Sequence, residues 1–161
     1  MFKNFIGIDN GASGAISLIR EDGTVDMIDM PVIAGEYDIN KLIEIFDKLD
    51  KADSFVVIER PITIPGQGAK SGLTVGIRFG TISTVIFLKG FSYEIIHPKK
   101  WQKEFCISGE TKIMAFNIAK RLFPNYVNDM FRINRKKNEV ILDGRVDALM
   151  MAEYGRRKYS K

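Results

Sequence analysis

The segment that most constrains the fold of this chain is SFVVIE, at residues 54–59. Its apolar residues form an unbroken, largely β-branched run with no polar residue between them. A strand with one face in water alternates apolar and polar residues, whereas a strand buried on both faces reads as a continuous apolar run. The segment therefore predicts a strand covered on both sides, which is typical of an α/β fold.

Three strands are predicted before this segment, at residues 2–9, 14–20 and 24–30. The connections NGASG and EDG are short and rich in residues that tolerate positive backbone angles, so the three strands should form an antiparallel meander. The apolar residues that follow recur at helical spacing, which predicts a helix over 38–50 with Asp38 as its N-cap.

After SFVVIE the sequence predicts helices, strands and loops in alternation. Pro98 begins one helix and Pro124 ends another, because proline suits a first helical turn and cannot continue a helix. The polar stretch 128–141 is weakly patterned and is predicted to be a loop that orders only when bound. The predicted elements are, in order, a mobile loop at 62–72, a helix at 73–89, a strand at 91–96, helices at 97–105 and 109–123, the loop at 128–141 and a last helix at 144–157.

Length and composition narrow the class of protein. A chain of 161 residues with 45% hydrophobic content is large enough for one well-packed domain, so we expect a single domain over 1–161. Cys106 is the only cysteine, which excludes an internal disulfide and makes a structural zinc site improbable. The sequence begins without a basic lead and a long apolar stretch, so we expect a soluble, cytoplasmic protein with no membrane partner.

The positive charge of the chain is unevenly distributed. The net charge is +4, and basic residues concentrate in RINRKK at 132–137 and RRKYSK at 156–161. Such runs favour a polyanionic partner, and nucleic acid is the obvious class, although a charge run is just as often a solvated surface.

Four acidic residues stand at positions where a carboxylate needs an explanation. Asp9 and Glu59 each end a predicted strand, and Asp143 and Asp147 share one face of the last predicted helix. Apolar residues continue that face, so it should point inward, where an unpaired carboxylate costs several kcal/mol. The acids should therefore meet a cation or line a polar cleft. Taken alone, Asp9 is more simply a residue that shapes the turn with the following Asn-Gly pair.

Four motifs, taken in their order along the chain, resemble the RuvC-type Holliday junction resolvases of the ribonuclease H-like superfamily, especially their phage branch. They are IGIDNGASGAISLI, VVIERP, HPKKWQKEFCISGETK and DGRVDALMMAEYGRR. The resemblance implies a mixed five-stranded sheet, a three-stranded antiparallel meander followed by parallel strands, with helices on both faces. It also implies a homodimer that cuts four-way DNA junctions in phage recombination or DNA processing, working in the host cytoplasm.

The resemblance assigns roles to the acids. Two Mg²⁺ ions, for which Mn²⁺ substitutes, would activate a water and stabilise the leaving oxygen. Asp9 would bridge the metals, Glu59 and Asp147 would complete the ligand shells, and Asp143 would bind directly or through water. In the bacterial pattern the second acid of the last helix lies three residues before the final aspartate, a position that is Gly144 here.

Lysines and the loop after Glu59 complete the candidate site. Lys103 and Lys112 match two family lysines that approach the active-site phosphate, although Lys112 is equally explained as a surface residue of its helix. Ile62 or Ile64 would be an apolar wedge at the junction centre, with packing beneath the loop as the alternative. The further candidates for DNA contact are Lys70, Arg132, Arg135, Lys136 and Lys137.

Two other functions compete with this interpretation. The opening motif also resembles the first phosphate-binding hairpin of actin-like ATPases and sugar kinases, but no second glycine-rich phosphate motif is present. A branched-DNA-binding protein without catalysis would explain the basic residues but not the four acids. His97 is expected to be structural, and Trp101 and Phe105 are expected in the core.

Overall fold

The computed structural model describes residues 1–11, 13–62, 66 and 68–160. Its strands are β1 Asn4–Ile8, β2 Ala15–Ile19, β3 Val25–Asp29, β4 Val32–Ile33, β5 Glu36–Tyr37, β6 Ser54–Glu59, β7 Ser92–Ile96, β8 Phe131–Ile133 and β9 Glu139–Ile141. Its helices are α1 Ile39–Asp47, α2 Ala69–Lys89, α3 Pro98–Glu104, α4 Thr111–Leu122 and α5 Asp143–Tyr159, with a 3₁₀ segment at Pro124–Asp129.

The central sheet confirms the predicted fold class. Its five strands lie in the order β3-β2-β1-β6-β7. The first three form the antiparallel meander, while β6 runs parallel to β1 and β7 parallel to β6. SFVVIE is thus an inner strand, which explains its unbroken apolar sequence.

Helices cover both faces of this sheet. Side chains alternate between the two faces along each strand, and this alternation decides which helices a residue contacts. Phe5, Phe55 and Val57 pack in one core with α3, α4 and α5. Ile6 and Ile8, with the alternate residues of β2 and β6, pack in a second core with α1 and α2. Because successive side chains point to opposite faces, the residues that follow β1 and end β6 lie on the α5 side of the sheet.

The predicted cap at Asp38 and the structural role predicted for His97 are both confirmed at the starts of helices. The Asp38 side chain accepts a hydrogen bond from the backbone N–H of Lys41 at the start of α1. His97 precedes Pro98 and its Nδ1 accepts from the backbone N–H of Lys99, so the only histidine has the structural role expected of it. Trp101 and Phe105 are both buried in the core, as predicted.

The segment 128–141, predicted to be a loop ordered only on binding, is instead an ordered hairpin. β8 pairs with β9, and backbone hydrogen bonds close the loop between them. The strands are only three residues long and carry charged side chains, so their alternation is too short to indicate a strand.

Two further boundaries differ from the prediction. α2 begins at Ala69, so the predicted loop over 62–72 is shorter than expected and Lys70 is helical. The glycines of this segment lowered its apparent helix propensity, yet its first, mostly exposed turn continues the helix that packs in the core further on at Ile82, Val85 and Ile86. The small hairpin of β4 and β5 was not predicted, because each strand is only two residues long.

α2 is also the one helix of the described residues long and apolar enough to cross a membrane by length and composition. Its most apolar window is 17% buried. One such helix is weak support for a membrane span, and its side chains Ile82, Val85 and Ile86 pack in the core beneath it. The remaining apolar surface of α2 is largely exposed.

Candidate active site

Close packing of α5 on β1 is what brings the acids of the two elements together. A Cβ atom added to Gly7 of β1 would lie 1.9 Å from the carbonyl oxygen of Ala148. A Cβ on Gly144 would lie 2.2 Å from the carbonyl oxygen of Ser13. The helix therefore lies directly on the backbone of β1 and of the turn that follows it. This contact also explains why residue 144 carries no acid, since no side chain fits there.

Polar contacts hold the first turn of α5 in place. Arg145 forms a two-point ion pair with Asp29 of β3, with Nε 2.6 Å from Oδ1 and Nη2 3.0 Å from Oδ2. The Ser17 hydroxyl donates to the carbonyl oxygen of Arg145 at 3.2 Å. Gly14 and Gly144 form an isolated parallel bridge. The orientation of Asp143 and Asp147 is therefore set by the sheet.

Asp9, Glu59 and Asp147 meet at the carboxyl end of β1 and β6. The register pairs Ile8 with Ile58, so the next residues, Asp9 and Glu59, are neighbours on the α5 side. Burial raises the pKa values of Asp147 and Glu59; the charges of Asp9 and Glu59 raise that of Asp147 further, and the charge of Asp9 raises that of Glu59 further. The structure thus gathers acids that the sequence placed on three separate elements.

Asp9 combines the two roles considered for it. Its Oδ1 accepts a hydrogen bond from the backbone N–H of Gly11 at 3.0 Å, so the carboxylate does shape the turn. Burial raises the pKa of Asp9, a shift that the Gly11 hydrogen bond opposes and the charge of Asp143 increases. Asp9 is consequently both a turn residue and a member of the acidic cluster.

Glu59 is oriented by a tryptophan that sequence reasoning assigned only to the core. The indole N–H of Trp101 donates to Oε1 of Glu59 at 2.9 Å. Burial raises the pKa of Glu59 to about 7, and the tryptophan hydrogen bond opposes the rise. A buried indole N–H usually finds a hydrogen-bond partner, which was the available signal that Trp101 had a second role.

Asp147 has the most perturbed carboxyl group of the cluster. Burial raises its pKa to about 8, and the charges of Asp9, Glu59 and Asp143 add to the rise. The charge of Lys112 acts in the opposite direction. Without a cation in the cluster, the Asp147 carboxyl therefore binds a proton more readily than an ordinary aspartate.

Asp143 is paired with a lysine from the neighbouring helix. Lys112 Nζ, in the first turn of α4, lies 2.5 Å from Asp143 Oδ2. This contact raises the pKa of Lys112, and the charges of Asp147 and Asp9 raise it further. The N-cap residue of α5, Leu142, makes no side-chain cap hydrogen bond, and the carboxylate of Asp143 engages Lys112.

A brace made by Asn10 and Tyr37 ties the ends of β1 and β6 together. The Asn10 side-chain amide donates to the carbonyl oxygen of Glu59 at 2.5 Å. The Tyr37 hydroxyl donates to the carbonyl oxygen of Asn10 at 2.5 Å, and burial raises the pKa of Tyr37. The sequence analysis missed both residues, because only the tertiary structure shows that Asn10 is buried.

The candidates for DNA contact are distributed over several elements and are not brought into one cluster. Lys103 is exposed in the last turn of α3, and Ile62 and Lys70 are exposed between β6 and the start of α2. Ile64 lies outside the described residues. Arg132 is on β8, and the loop between β8 and β9 carries Arg135, Lys136 and Lys137.

The donor set of the cluster suits a hard cation, although its present arrangement does not form a metal cage. All four acids offer oxygen ligands, which Mg²⁺ prefers. Among the described residues, no group of three or more histidine, cysteine, aspartate or glutamate side chains has an arrangement that could hold a metal ion. Desolvation and the charges of Asp9, Glu59 and Asp143 raise the pKa of Asp147, so the acids are near one another, and metal binding would require their side chains to turn toward a common point.

The acidic cluster should make the stability of the metal-free protein depend on pH. Glu59 and Asp147 have pKa values of about 7 and about 8 in the folded protein, above the ordinary range of carboxyl groups in unfolded chains. The folded state therefore binds more protons than the unfolded state between about pH 4 and pH 8, and the free energy of unfolding falls as pH rises through this range. Thermal unfolding in a chelator should show a lower Tm at pH 8.5 than at pH 6, with a smaller difference in Asp147→Asn. An equal difference in both proteins would contradict the role of Asp147.

Comparisons with known proteins identify the fold. Neither a protein-family model nor a curated protein matches the sequence. The structure of T. thermophilus RuvC in complex with a Holliday junction substrate aligns with 98% of this chain and 97% of its own, at 12% identity and a TM-score of 0.60. A Thermus thermophilus RuvC structure aligns with 96% of this chain and 95% of its own, at 10% identity and a TM-score of 0.61. The predicted RuvC-type fold is thereby confirmed over nearly the whole chain.

Proposed function

We propose that this protein is a structure-selective endonuclease that resolves four-way DNA junctions by paired, metal-dependent hydrolysis, in phage recombination or DNA processing. The observation that carries the proposal is the gathering of Asp9, Glu59 and Asp147 at one sheet edge of a RuvC-type fold. A RuvC of this fold has been captured with a Holliday junction substrate. Carboxylates are the usual ligands for the ions that assist phosphodiester hydrolysis.

In this proposal the acids hold two Mg²⁺ ions, which Mn²⁺ can replace. Asp9, Glu59 and Asp147 are the principal ligands, and Asp143 contributes directly or through water. The bound ions would lower the pKa of a water and stabilise charge on the attacking and leaving oxygens. Mg²⁺ must compete with the protons on Glu59 and Asp147, so its affinity should increase with pH.

The other side chains of the site orient the acids and the DNA strand. Trp101 holds Oε1 of Glu59, and the Asn10 brace keeps the ends of β1 and β6 at a constant separation. Lys112 is paired with Asp143, yet its side chain is 71% exposed and it can approach a DNA phosphate from solvent. Hydrolysis then adds a water oxygen to the phosphorus and breaks one phosphorus–oxygen bond of the strand.

The surface around the cluster would bind the branched DNA. Lys103, Lys112, Lys70 and the cations of the β8–β9 hairpin would contact phosphates, and Ile62 or Ile64 would contact the junction centre. A two-fold symmetric dimer would place one acidic cluster on each of two equivalent strands.

A cruciform plasmid tests this proposal sharply. A single nick relaxes the plasmid and removes the cruciform, so only paired cuts made within one binding event produce linear DNA. We expect linear product with Mg²⁺ or Mn²⁺ and none with a chelator, and no cutting of a matched plasmid without the inverted repeat. Junction binding without any cutting would favour the non-catalytic alternative, and stimulated ATP hydrolysis would favour the ATPase alternative.

The same reaction requires a dimer, for which α2 is the proposed interface. Leu73 and Ile77 are 65% and 49% exposed, and within the described part of the monomer no atom beyond the local helix backbone would lie within 4 Å of a Cβ on Gly76 or Gly80. We expect sedimentation to show a dimer at micromolar concentration and Gly80→Leu to weaken it at least about ten-fold without unfolding the chain. A wild-type monomer that still produced linear plasmid would contradict this interface.

A further inference from the structure

The feature that the proposed function leaves unexplained is the shape of the basic hairpin, residues 131–141. Its loop is internally organised by Asn134, whose Oδ1 accepts from the backbone N–H groups of Lys136 at 2.9 Å and Asn138 at 3.0 Å. Asn134 and Asn138 are also joined through their backbones at 3.0 Å. The basic hairpin therefore presents its tip in one defined conformation before any ligand binds.

The two faces of the basic hairpin differ. The cross-strand pair Phe131 and Ile141 lies at its base, where Ile141 packs against the core. Arg132 faces the other way and lines a cavity that also includes Asp143. Ile133 lies on the same face as Phe131 but beyond the core, and it is 58% exposed.

The cations of the basic hairpin are available to a ligand. Within the described part of the chain, Arg132, Arg135, Lys136 and Lys137 form no ion pair, whereas nearby Arg145 is engaged by the Asp29 carboxylate and the Asp129 carbonyl oxygen. An exposed branched apolar side chain in such a setting is costly in water but suits a distorted base step, where proteins insert apolar wedges while cations hold the flanking phosphates.

The base of the basic hairpin is connected to the acidic cluster. The Leu142 N–H donates to the carbonyl oxygen of Met130 at 2.8 Å, and Asp143 follows directly at the start of α5. A strand held by the tip would therefore be positioned relative to Asp143 and its neighbours by a short, ordered segment.

We propose that the basic hairpin recognises the branch point: Ile133 inserts beside an unstacked base while Arg135, Lys136 and Lys137 hold the adjoining phosphates. This inference rests on the proposed function and adds to it a second apolar element, far along the chain from Ile62. Recognition of a junction over a linear duplex then depends on Ile133, whereas overall affinity depends on the three cations.

The test measures branch-point opening separately from cutting. Asp147→Asn protein in Mg²⁺ is titrated onto a junction with 2-aminopurine at its centre, and onto a linear duplex of the same length. We expect 2-aminopurine fluorescence to rise when the protein binds the junction. Ile133→Ala should remove at least half of that rise and should reduce the preference for junction over duplex about five-fold. Ile28→Ala, on the sheet face away from α5, is the matched control and should leave both unchanged.

A second pair of variants separates insertion from charge. Replacing Arg135, Lys136 and Lys137 with alanine should make binding less sensitive to salt. The slope of log affinity against log salt concentration should become shallower by about 0.9 for each phosphate that the protein no longer neutralises. The control protein carries Lys48→Ala and Lys51→Ala, between α1 and the start of β6. The salt dependence of its binding should change little.

Two results would overturn the hairpin proposal while leaving the nuclease intact. One is an Ile133→Ala protein that behaves like Ile28→Ala in both measurements. The other is an Ile62→Ala protein in which that single change removes the whole fluorescence rise. A wild-type protein that neither bound nor cut junctions would overturn the hairpin proposal and the proposed function together.

Discussion

Asp147→Asn should reduce junction cleavage by about 10³-fold or more, the scale expected when an essential catalytic group is removed. Asp147 is the half-buried acid whose pKa is raised by desolvation and by the charges of Asp9, Glu59 and Asp143, so in the proposed function an amide there would remove a principal metal ligand. The amide is nearly the same size and cannot ionise, so the fold should persist. Junction affinity should fall little, because in the proposed function the basic surface would supply most of it.

Asp143→Asn is the matched comparison, because it makes the same chemical change one helical turn earlier. Asp143 is partly exposed and already neutralised by Lys112, so its loss should leave measurable cleavage that Mn²⁺ partly restores. Single-turnover rates on one junction, with binding measured in parallel, would rank the two variants. A more severe loss from Asp143→Asn than from Asp147→Asn would refute this assignment.

Gly7→Ala should destabilise the protein by about 3 kcal/mol or more, because the added methyl group has no space. Its position is 1.9 Å from the Ala148 carbonyl oxygen and 2.5 Å from the backbone nitrogen of Ala152, and both atoms belong to the backbone of α5. The helix must move away from β1, which separates Asp147 from Asp9. Cleavage should therefore be lost together with stability.

Gly72→Ala provides the control, because it adds the same methyl group in α2 at a position where, among the described residues, no atom outside the local helix backbone lies within 4 Å. Replacing a helical glycine by alanine at an open position should stabilise the fold by about 0.5 to 1 kcal/mol. Chemical denaturation of both variants beside the wild type would measure the difference. Equal stability of the two variants would mean that α5 does not lie on β1 as described.

Local pattern was enough to predict much of the architecture. The unbroken run of SFVVIE, the short turns of the meander and the capped helical spacing after Asp38 each express a periodicity or a turn preference contained in a few neighbouring residues. The order of the elements, three strands followed by alternating helices and strands, follows from these local patterns. The acids at the strand ends were visible for the same reason, since a charged residue interrupts an apolar run.

Tertiary structure decided how these parts meet. Parallel pairing of β1 with β6 makes Asp9 and Glu59 neighbours, and the backbone contact at Gly7 and Gly144 brings Asp147 to them. The hydrogen bonds from Trp101 and Asn10 to Glu59 join residues more than 40 positions apart, and no local signal identifies such partners. The basic hairpin was missed because its strands are too short to show a period, and its order comes from backbone pairing and the Asn134 side chain. The residue types predicted the chemistry of the candidate site, whereas the geometry of the site depends on how distant segments of the chain pack together.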